Sequence, residues 1–309
     1  GIEDFVALTY LDCRYNQFIS LDVTQNTALT HLYCGDNQLT TLDVTQNTAL
    51  THLNCSGTLL TTININQNTA LTFFASASCQ LTTLDISQNI ALTDLIFYNN
   101  QITSIDVSQN TALTYLDFDN NQLTNLNVSQ NTALTHLICA TNQLTDIDVS
   151  HITTLTFLST RYNQLTCLNL KNGTNTNITY FNANGNSNLT CIEVDDSTWS
   201  STSWTLIDPQ SSFSTSCGNP CSITTEIEES SLSNISLYPN PTTGRATIDL
   251  EVIMQDIKAT LTNSLGQVIL TDNYTATNFI NLDINAPKGV YFLNLEVDGE
   301  VITKKIIKK

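Results

Sequence analysis

Residues 29–49 read L-T-H-L-Y-C-G-D-N-Q-L-T-T-L-D-V-T-Q-N-T-A, and the same string returns, with substitutions, every 21 residues. Its first position falls at Leu8, Leu29, Leu50, Leu71, Leu92, Leu113, Leu134 and Leu155. It then falls at Ile178, displaced by two through an insertion around Asn172 to Asn177. Self-similarity at a fixed short period belongs to stacked arrays, in which each unit covers the core of its neighbour. The pattern runs out near Asp195, which makes about eight full rungs and a closing one.

Within a rung the first, fourth, sixth, eleventh, fourteenth, sixteenth and last positions are apolar or small, as in Leu29, Leu32, Cys34, Leu39, Leu42, Val44 and Ala49. These side chains are expected to face inward. One rung alone cannot fold, because ordering its backbone costs more than burying seven side chains returns. Asn recurs at the ninth position as Asn16, Asn37, Asn100, Asn121, Asn142 and Asn163. A buried amide there can bond the backbone of adjacent rungs through both its C=O and its NH₂. Thr58 and Cys79 break the column, so the third and fourth rungs are expected to be its weakest stretch.

The motif L-T-x-L-x-C-x-x-N-Q-L-T-x-L-D-V-[TS]-Q-N-T-A resembles leucine-rich repeats, specifically the 21-residue cysteine-containing type of internalin J-like bacterial surface proteins. The resemblance spans about residues 8 to 194. It implies a mainly β fold: a solenoid with a concave parallel β-sheet built from Thr9 to Cys13 and its equivalents, and extended or 3₁₀ segments on the convex side. Cys13, Cys34, Cys55 and Cys139 occupy the sixth position, with Phe97 and Phe118 in the same column. Stacked strands lie roughly 5 Å apart with parallel Cβ vectors, so the expectation is a ladder of buried thiols rather than disulfides.

After the last rung, residues 195–217 abandon the period yet keep Trp199, Trp204, Ile207 and Phe213, which reads as a cap over the open core. Similar caps close leucine-rich repeats in Bacteroidetes proteins, and that resemblance implies a Cys191–Cys217 disulfide. Cys167 competes for Cys191, since both follow an L-T pair in consecutive rungs. At the other end G-I-E-D-F-V-A looks like the tail of a rung. Without an amino-terminal cap the solenoid, 1–194, is expected to have further sequence before Gly1; the chain itself opens with no signal peptide.

Residues 218–231 have the composition of a linker. From Leu232 apolar and polar residues alternate, with short strands expected around Lys258 to Leu261, Val268 to Leu270, Phe279 to Leu282, Val290 to Glu296 and Val301 to Ile307, hence a small β-sandwich. In this domain, 232–309, the ordered motifs Y-P-N-P-T-T-G, S-L-G-Q-V, K-G-V-Y-F-L and closing K-K-I-I-K-K look like the type A sorting domain of the type IX secretion system. The residues carrying that resemblance are Pro239, Asn240, Pro241, Gly244, Gly266, Gly289, Tyr291, Lys304 and Lys305, with Lys308 and Lys309. It implies passage through the periplasm to the outer surface or beyond, with the type IX machinery as partner.

Charge is unevenly placed in a chain of net charge −18: residues 1–231 hold 3 Lys/Arg against 20 Asp/Glu, residues 232–309 hold 7 against 8. An acidic surface of this kind repels phosphate backbones and anionic lipid, so neither nucleic acid nor bare membrane is an expected partner. No apolar stretch reaches the roughly 20 residues of a membrane-spanning helix.

Strand alternation should turn the third, fifth, seventh and eighth positions to the concave face. The third reads Tyr10, His31, His52, Phe73, Asp94, Tyr115, His136, Phe157 and Tyr180, flanked by Asp12, Tyr33, Asp36, Asn54, Tyr98, Asp117, Asp119, Arg161 and Tyr162. A row of exposed aromatic rings among hydrogen-bonding groups points to a surface that binds protein or glycan, as in an adhesion protein. Aromatic β-propensity is the plainer explanation for the same row. His31 and His52 offer too few convergent ligands for zinc, Asn64 and Asn127 dilute the outward column Asp22, Asp43, Asp85, Asp106 and Asp148 against calcium, and no cofactor is expected. No nucleophile elbow or phosphate loop suggests an enzyme. Thr40, Thr61, Thr82, Thr124 and Thr145 raise a structural or ice-binding solenoid as the alternative, interrupted at Thr103-Ser104 and Thr166-Cys167; a secreted enzyme's accessory module is a further one.

Overall fold

The computed structural model describes residues 1–218, 221, 236–254, 257–263, 267–275, 277–297 and 300–309. The chain divides into two compact units, Gly1–Ile223 and Thr224–Lys309.

The first unit is the expected solenoid. Nine three-residue strands form one parallel sheet: Tyr10–Asp12, His31–Tyr33, His52–Asn54, Phe73–Ala75, Asp94–Ile96, Tyr115–Asp117, His136–Ile138, Phe157–Ser159 and Tyr180–Asn182. Pairing advances by one repeat each time, so Leu32 lies beside Leu53 and Leu116 beside Leu137. The fourth-position side chains Leu32, Leu53, Phe74, Leu95, Leu116, Leu137 and Leu158 are fully buried, as are Cys34, Cys55, Phe97, Phe118 and Cys139 of the sixth. The thiols of Cys34, Cys55 and Cys139 are unbridged and burial pushes each pKa up, that of Cys55 to about 12. They pack as small apolar groups.

Each strand ends in a reversal at the eighth position, where Tyr15, Asp36, Ser78, Asn99, Asn120, Thr141 and Tyr162 all adopt φ between 51° and 58°. The left-handed conformation costs an L-residue roughly 1–2 kcal/mol. It is held because the eighth-position N–H donates to a carbonyl of the next rung, as from Asp36 to Ser56 at 2.8 Å and from Thr141 to Arg161 at 2.8 Å. Gly57 and Gly185 occupy the same position, and a Cβ at either would collide with Asp36 or Tyr162 of the preceding rung.

The ninth-position amides behave as expected. Asn142 Nδ2 donates to Phe118 O at 2.9 Å in the preceding rung and to Cys139 O and Ala140 O in its own, while its Oδ1 accepts the Leu123 N–H at 2.9 Å. At the first break, the Thr58 hydroxyl reaches only Cys55 O and the Cys79 thiol.

One inward column differs from expectation. Of the last-position alanines, Ala49 and Ala70 are exposed and Ala28, Ala91, Ala112 and Ala133 only half-buried, and the nineteenth-position asparagines Asn26, Asn47, Asn68, Asn89, Asn110 and Asn131 are fully buried instead. The cause is a pair of nested turns, seen as Asn110 N–H to Val107 O and Leu113 N–H to Asn110 O, which roll Asn inward and the following Thr-Ala outward. Each such amide donates back to two carbonyls of the preceding rung, Asn110 to Ile86 O at 3.1 Å and Asn89 O at 2.9 Å.

The convex side carries both 3₁₀ and extended segments, as expected. Its described 3₁₀ turns are Ile2–Asp4 at the start and Asn175–Asn177 in the insertion, and toward the carboxy-terminal end a second parallel sheet forms from Asp146–Asp148, Cys167–Asn169, Cys191–Glu193 and Ser212–Ser214. The cap adds the helix Ser197–Ser203, started by Asp196, whose side chain accepts the Thr198 and Trp199 N–H groups. Trp204 is buried against Phe181 (4.7 Å between ring centroids) and Phe213 (5.8 Å). Cys191 bonds Cys217, and Cys167 bonds Cys221 rather than Cys191. Cys221 lies within the stretch whose composition reads as linker, so the first part of that stretch is tied to the solenoid.

The second unit contains two antiparallel sheets. Ser236–Tyr238, Arg245–Met254 and Thr277–Asp283 form one; Val268–Tyr274, Ile257–Asn263, Gly289–Val297 and Glu300–Lys308 form the other. Ile248, Leu250 and Ile280 from the first share an apolar core with Ile257, Leu261, Leu293, Leu295 and Ile306 from the second.

Candidate functional site

The third-position residues do line up along the concave sheet, and their rings stack, except that Tyr10 is tilted on His31. Tyr10, His31, His52 and Phe73 follow at centroid separations of 5.7, 4.4 and 5.8 Å; Tyr115, His136, Phe157 and Tyr180 follow at 5.4, 5.5 and 4.3 Å. Asp94 stands between the two stacks in the strand register. The rings are less open than the sequence suggests: Tyr10 and Tyr180, at the ends, are exposed, and those between shield one another to half-burial.

Threonines of the second position hold the histidine rings. Thr51 Oγ1 donates its single proton to Thr30 O at 3.1 Å, so the contact with His52 Nδ1 at 3.0 Å is an N–H from the imidazole, leaving Nε2 unprotonated in the neutral ring. Thr30 and Thr135 do the same for His31 and His136. Burial, then the neighbouring His31, lowers the pKa of His52.

The two arginines that precede residue 245 both lie on this face. Arg14 pairs with Asp12 at 2.7 Å and lies over the Tyr33 ring at 5.2 Å; Arg161 pairs with Asp119 at 3.4 Å and lies over Tyr162 at 5.8 Å. Between them the face holds a depression of about 340 Å³, lined by Arg14, Tyr15, Asp36, Asn54, Ser56, Phe73, Ala75, Ile96, Tyr98, Tyr115 and Asp117. Sequence reasoning passed over Arg14, Tyr15, Ser56, Ala75 and Ile96. The rarity of arginine in the first 231 residues was the available signal for the first of them. Asp117 differs from expectation in depth: it is 8 % exposed, and burial raises its carboxyl to about 6.

In the second unit the sorting-type residues are joined by hydrogen bonds. Asn240 Nδ2 donates to Lys305 O at 2.7 Å and Asn240 Oδ1 accepts the Ile307 N–H at 2.9 Å. Thr242 N–H donates to Ile307 O, and Lys309 N–H to Thr242 O. The turn 239–244 therefore runs along the outer edge of the terminal strand. Gly244, at φ 142°, accepts the Ile284 N–H through its carbonyl, and Lys308 Nζ donates to Ile284 O and Ala286 O. Tyr291 is buried with its hydroxyl on Pro287 O, Gly289 opens its strand opposite Lys308, Lys304 is half-buried and Lys305 is exposed. Gly266 lies outside the described residues.

The sequence model of the secretion system C-terminal sorting domain matches residues 236–309, so the chain ends in a domain of that kind. Such a tail marks a secreted or outer-surface protein. Among the described residues no helix is long and apolar enough to cross a membrane. Among solved structures, the chain is similar to a leucine-rich-repeat protein of Leptospira interrogans, at 22 % identity over 69 % of this chain and 62 % of that one, with a TM-score of 0.56. It thus spans about three fifths of that protein's length. It is also similar to the internalin InlF of Listeria monocytogenes, at 20 % identity over 69 % of this chain and 78 % of that one, TM-score 0.50. A third is the functional domain of InlJ from Listeria monocytogenes, which includes a cysteine ladder, at 24 % identity over 100 % of this chain and 87 % of that one, TM-score 0.41. At such identities the likeness to the first two is one of fold alone. A search of curated protein sequences finds no match.

Proposed function

We propose that this chain is a surface-displayed or secreted adhesion-type protein: the type IX sorting domain directs it across the outer membrane, and the concave solenoid face binds a protein or a glycan. The observation that carries this reading is the pair of ring stacks bordering a depression that mixes aromatic, amide and carboxylate groups. Half-exposed aromatic surface next to fixed hydrogen-bonding groups is the composition of recognition sites, whose energy concentrates in a few aromatic and arginine anchors. An adhesin gains from a rigid face, and here the rings are braced by their neighbours and the three histidines also by threonine hydroxyls, so little freedom is lost on binding.

The test is a glycan and protein array probed with the purified chain, followed by the pair Tyr115→Ala and His136→Ala. Loss of a tenfold or greater share of affinity for any ligand found supports the reading. Unchanged affinity removes the concave face from consideration. For the sorting domain, deletion of residues 236–309 should hold the solenoid back inside cells that export the full chain.

A further inference from the structure

The charge on Asp117 has no cation to meet it. Its Oδ1 accepts the Asp119 N–H at 2.9 Å, and among the described residues it makes no ion pair. The guanidinium of Arg161 is taken by Asp119. Asp119 itself keeps one buried carboxylate oxygen, Oδ1, with no hydrogen-bond partner. A carboxylate more than nine-tenths buried and lacking a counter-charge is costly, because water has been removed and nothing has replaced it. Yet Asp117 is not sealed in: it lines the depression, beside the rings of Tyr98 and Tyr115.

We propose, building on the binding role assigned above to the concave face, that this depression anchors a basic side chain, a lysine or arginine carried by a protein segment laid along the sheet. The carboxylate supplies the charge, and the two tyrosine rings supply faces on which an ammonium or guanidinium is held more strongly the less water remains. The depression, about 340 Å³, is lined from Arg14 in the first rung to Asp117 in the sixth, so an extended segment can lie along it with one long side chain set at Asp117. Arg14, at the far end, is already neutralised by Asp12 and does not repel a cation at Asp117. The acidic balance of the solenoid draws basic segments toward it before contact. A neutral glycan would leave the buried charge uncompensated.

Acidity enters through the same group. The titratable neighbours of Asp117 are Asp94 and Tyr98 of the preceding rung, Tyr115 and Asp119 of its own, and the Cys139 thiol of the next, which burial and then Asp117 hold protonated. Burial is what lifts the Asp117 carboxyl to about 6, so protonation removes the anchor's charge within a mildly acidic range.

The experiment measures fluorescence anisotropy of the full chain with two labelled probes in 150 mM salt: a (Ser-Lys-Ser)₄ peptide and its counterpart with norleucine in place of lysine. Wild type should favour the lysine probe by about tenfold, Asp117→Asn should abolish that preference, and Asp43→Asn with Asp106→Asn, in the exposed outer column, should retain most of it. Between pH 7.5 and 5 wild type should lose about tenfold in affinity and Asp117→Asn should stay flat. Equal affinity of Asp117→Asn and wild type for the lysine probe, or an equal loss in the outer-column pair, overturns the anchor. If that happens while Tyr115→Ala with His136→Ala still abolishes binding of an array-identified sugar, the concave-face reading stands and only the cation site falls.

Discussion

Asn240 holds Ile307 by its backbone: the asparagine Oδ1 accepts the Ile307 N–H at 2.9 Å while its Nδ2 donates to the carbonyl of Lys305, two residues earlier on the same strand edge. One side chain thereby occupies two of the hydrogen-bonding groups that this edge strand would otherwise present to another chain. The motif turn and the closing lysine run are two halves of one structure, which accounts for their appearing together in the sequence.

Asn240→Ala should therefore free the end of that strand. The site is exposed, so water replaces the lost partners and the cost is about 1 kcal/mol. Amide exchange at Ile307 should quicken by about fivefold or more with little change at Leu293 and Leu295 in the core, and export should fall.

Asp117→Asn should stabilise the solenoid. A carboxyl held at about 6 rather than 3.8 is penalised when ionised, so the cost is full above pH 6, declines as pH falls and vanishes below about 3.8. The amide keeps an acceptor for the Asp119 N–H and carries no charge. Its gain is at most ~3 kcal/mol at pH 7.5. Thermal unfolding at pH 7.5 and 4.5 checks this: the advantage over wild type should shrink markedly at the lower pH.

The outer aspartates predict the opposite slope. Hydrogen bonds from Thr24, Thr45, Ser87 and Ser108 hold Asp22, Asp43, Asp85 and Asp106 below the usual carboxylate range. What they contribute is present above pH 3.8 and is lost as pH falls through their lowered values. Replacing all four by Asn should lower stability by a constant amount above about pH 4 and flatten the acid limb below it, the variant converging on wild type as pH falls through the lowered values.

Thr58→Asn should mend the ninth-position column. Amides elsewhere in it bond a carbonyl 24 residues back and an N–H 19 residues back, positions filled here by Cys34 and Leu39, which the Thr58 hydroxyl does not reach. A gain of about 1 kcal/mol, some 2–4 °C in melting temperature, is expected. No gain would show that the neighbouring Cys79 prevents the amide from seating.

Reduction should open the cap. Cys191–Cys217 and Cys167–Cys221 close loops separated by 26 and 54 residues, each worth roughly 3–4 kcal/mol by the loop-closure account. Adding reductant should lower the melting temperature and admit protease within 195–217. Cys217→Ser combined with Cys221→Ser should melt at the reduced value with or without reductant.

The solenoid was legible because eight copies make each column's chemistry visible at once, and Leu32, Leu53 and Leu116 fall where the period puts them. The turn columns were not. Ala49 and Asn47 are both short enough for a tight bend, and only the nested hydrogen bonds decide which of them rolls inward. The depth of Asp117 escaped for a related reason. Its fifth position holds Tyr33, Asn54 and Ile96 in other rungs, and burial comes from the particular neighbours Ile96 and Ile138 rather than from the repeat. Cys221 sits among linker-like residues, and its partner is set by the path of the second sheet, which the period does not encode.

The buried amides at Asn47, Asn68, Asn89, Asn110 and Asn131 all donate backward, to carbonyls 24 and 21 residues earlier. Stripping a coil from the low-numbered side thus orphans the donors of its successor, while the opposite side is closed by two covalent bonds. Mechanical load on such an array acts as on a spring wound from one end. Pulled from the low-numbered side it should pay out in discrete lengths of about 7 nm, one 21-residue turn at a time, so an anchored chain yields gradually under drag where a globule would rupture at once.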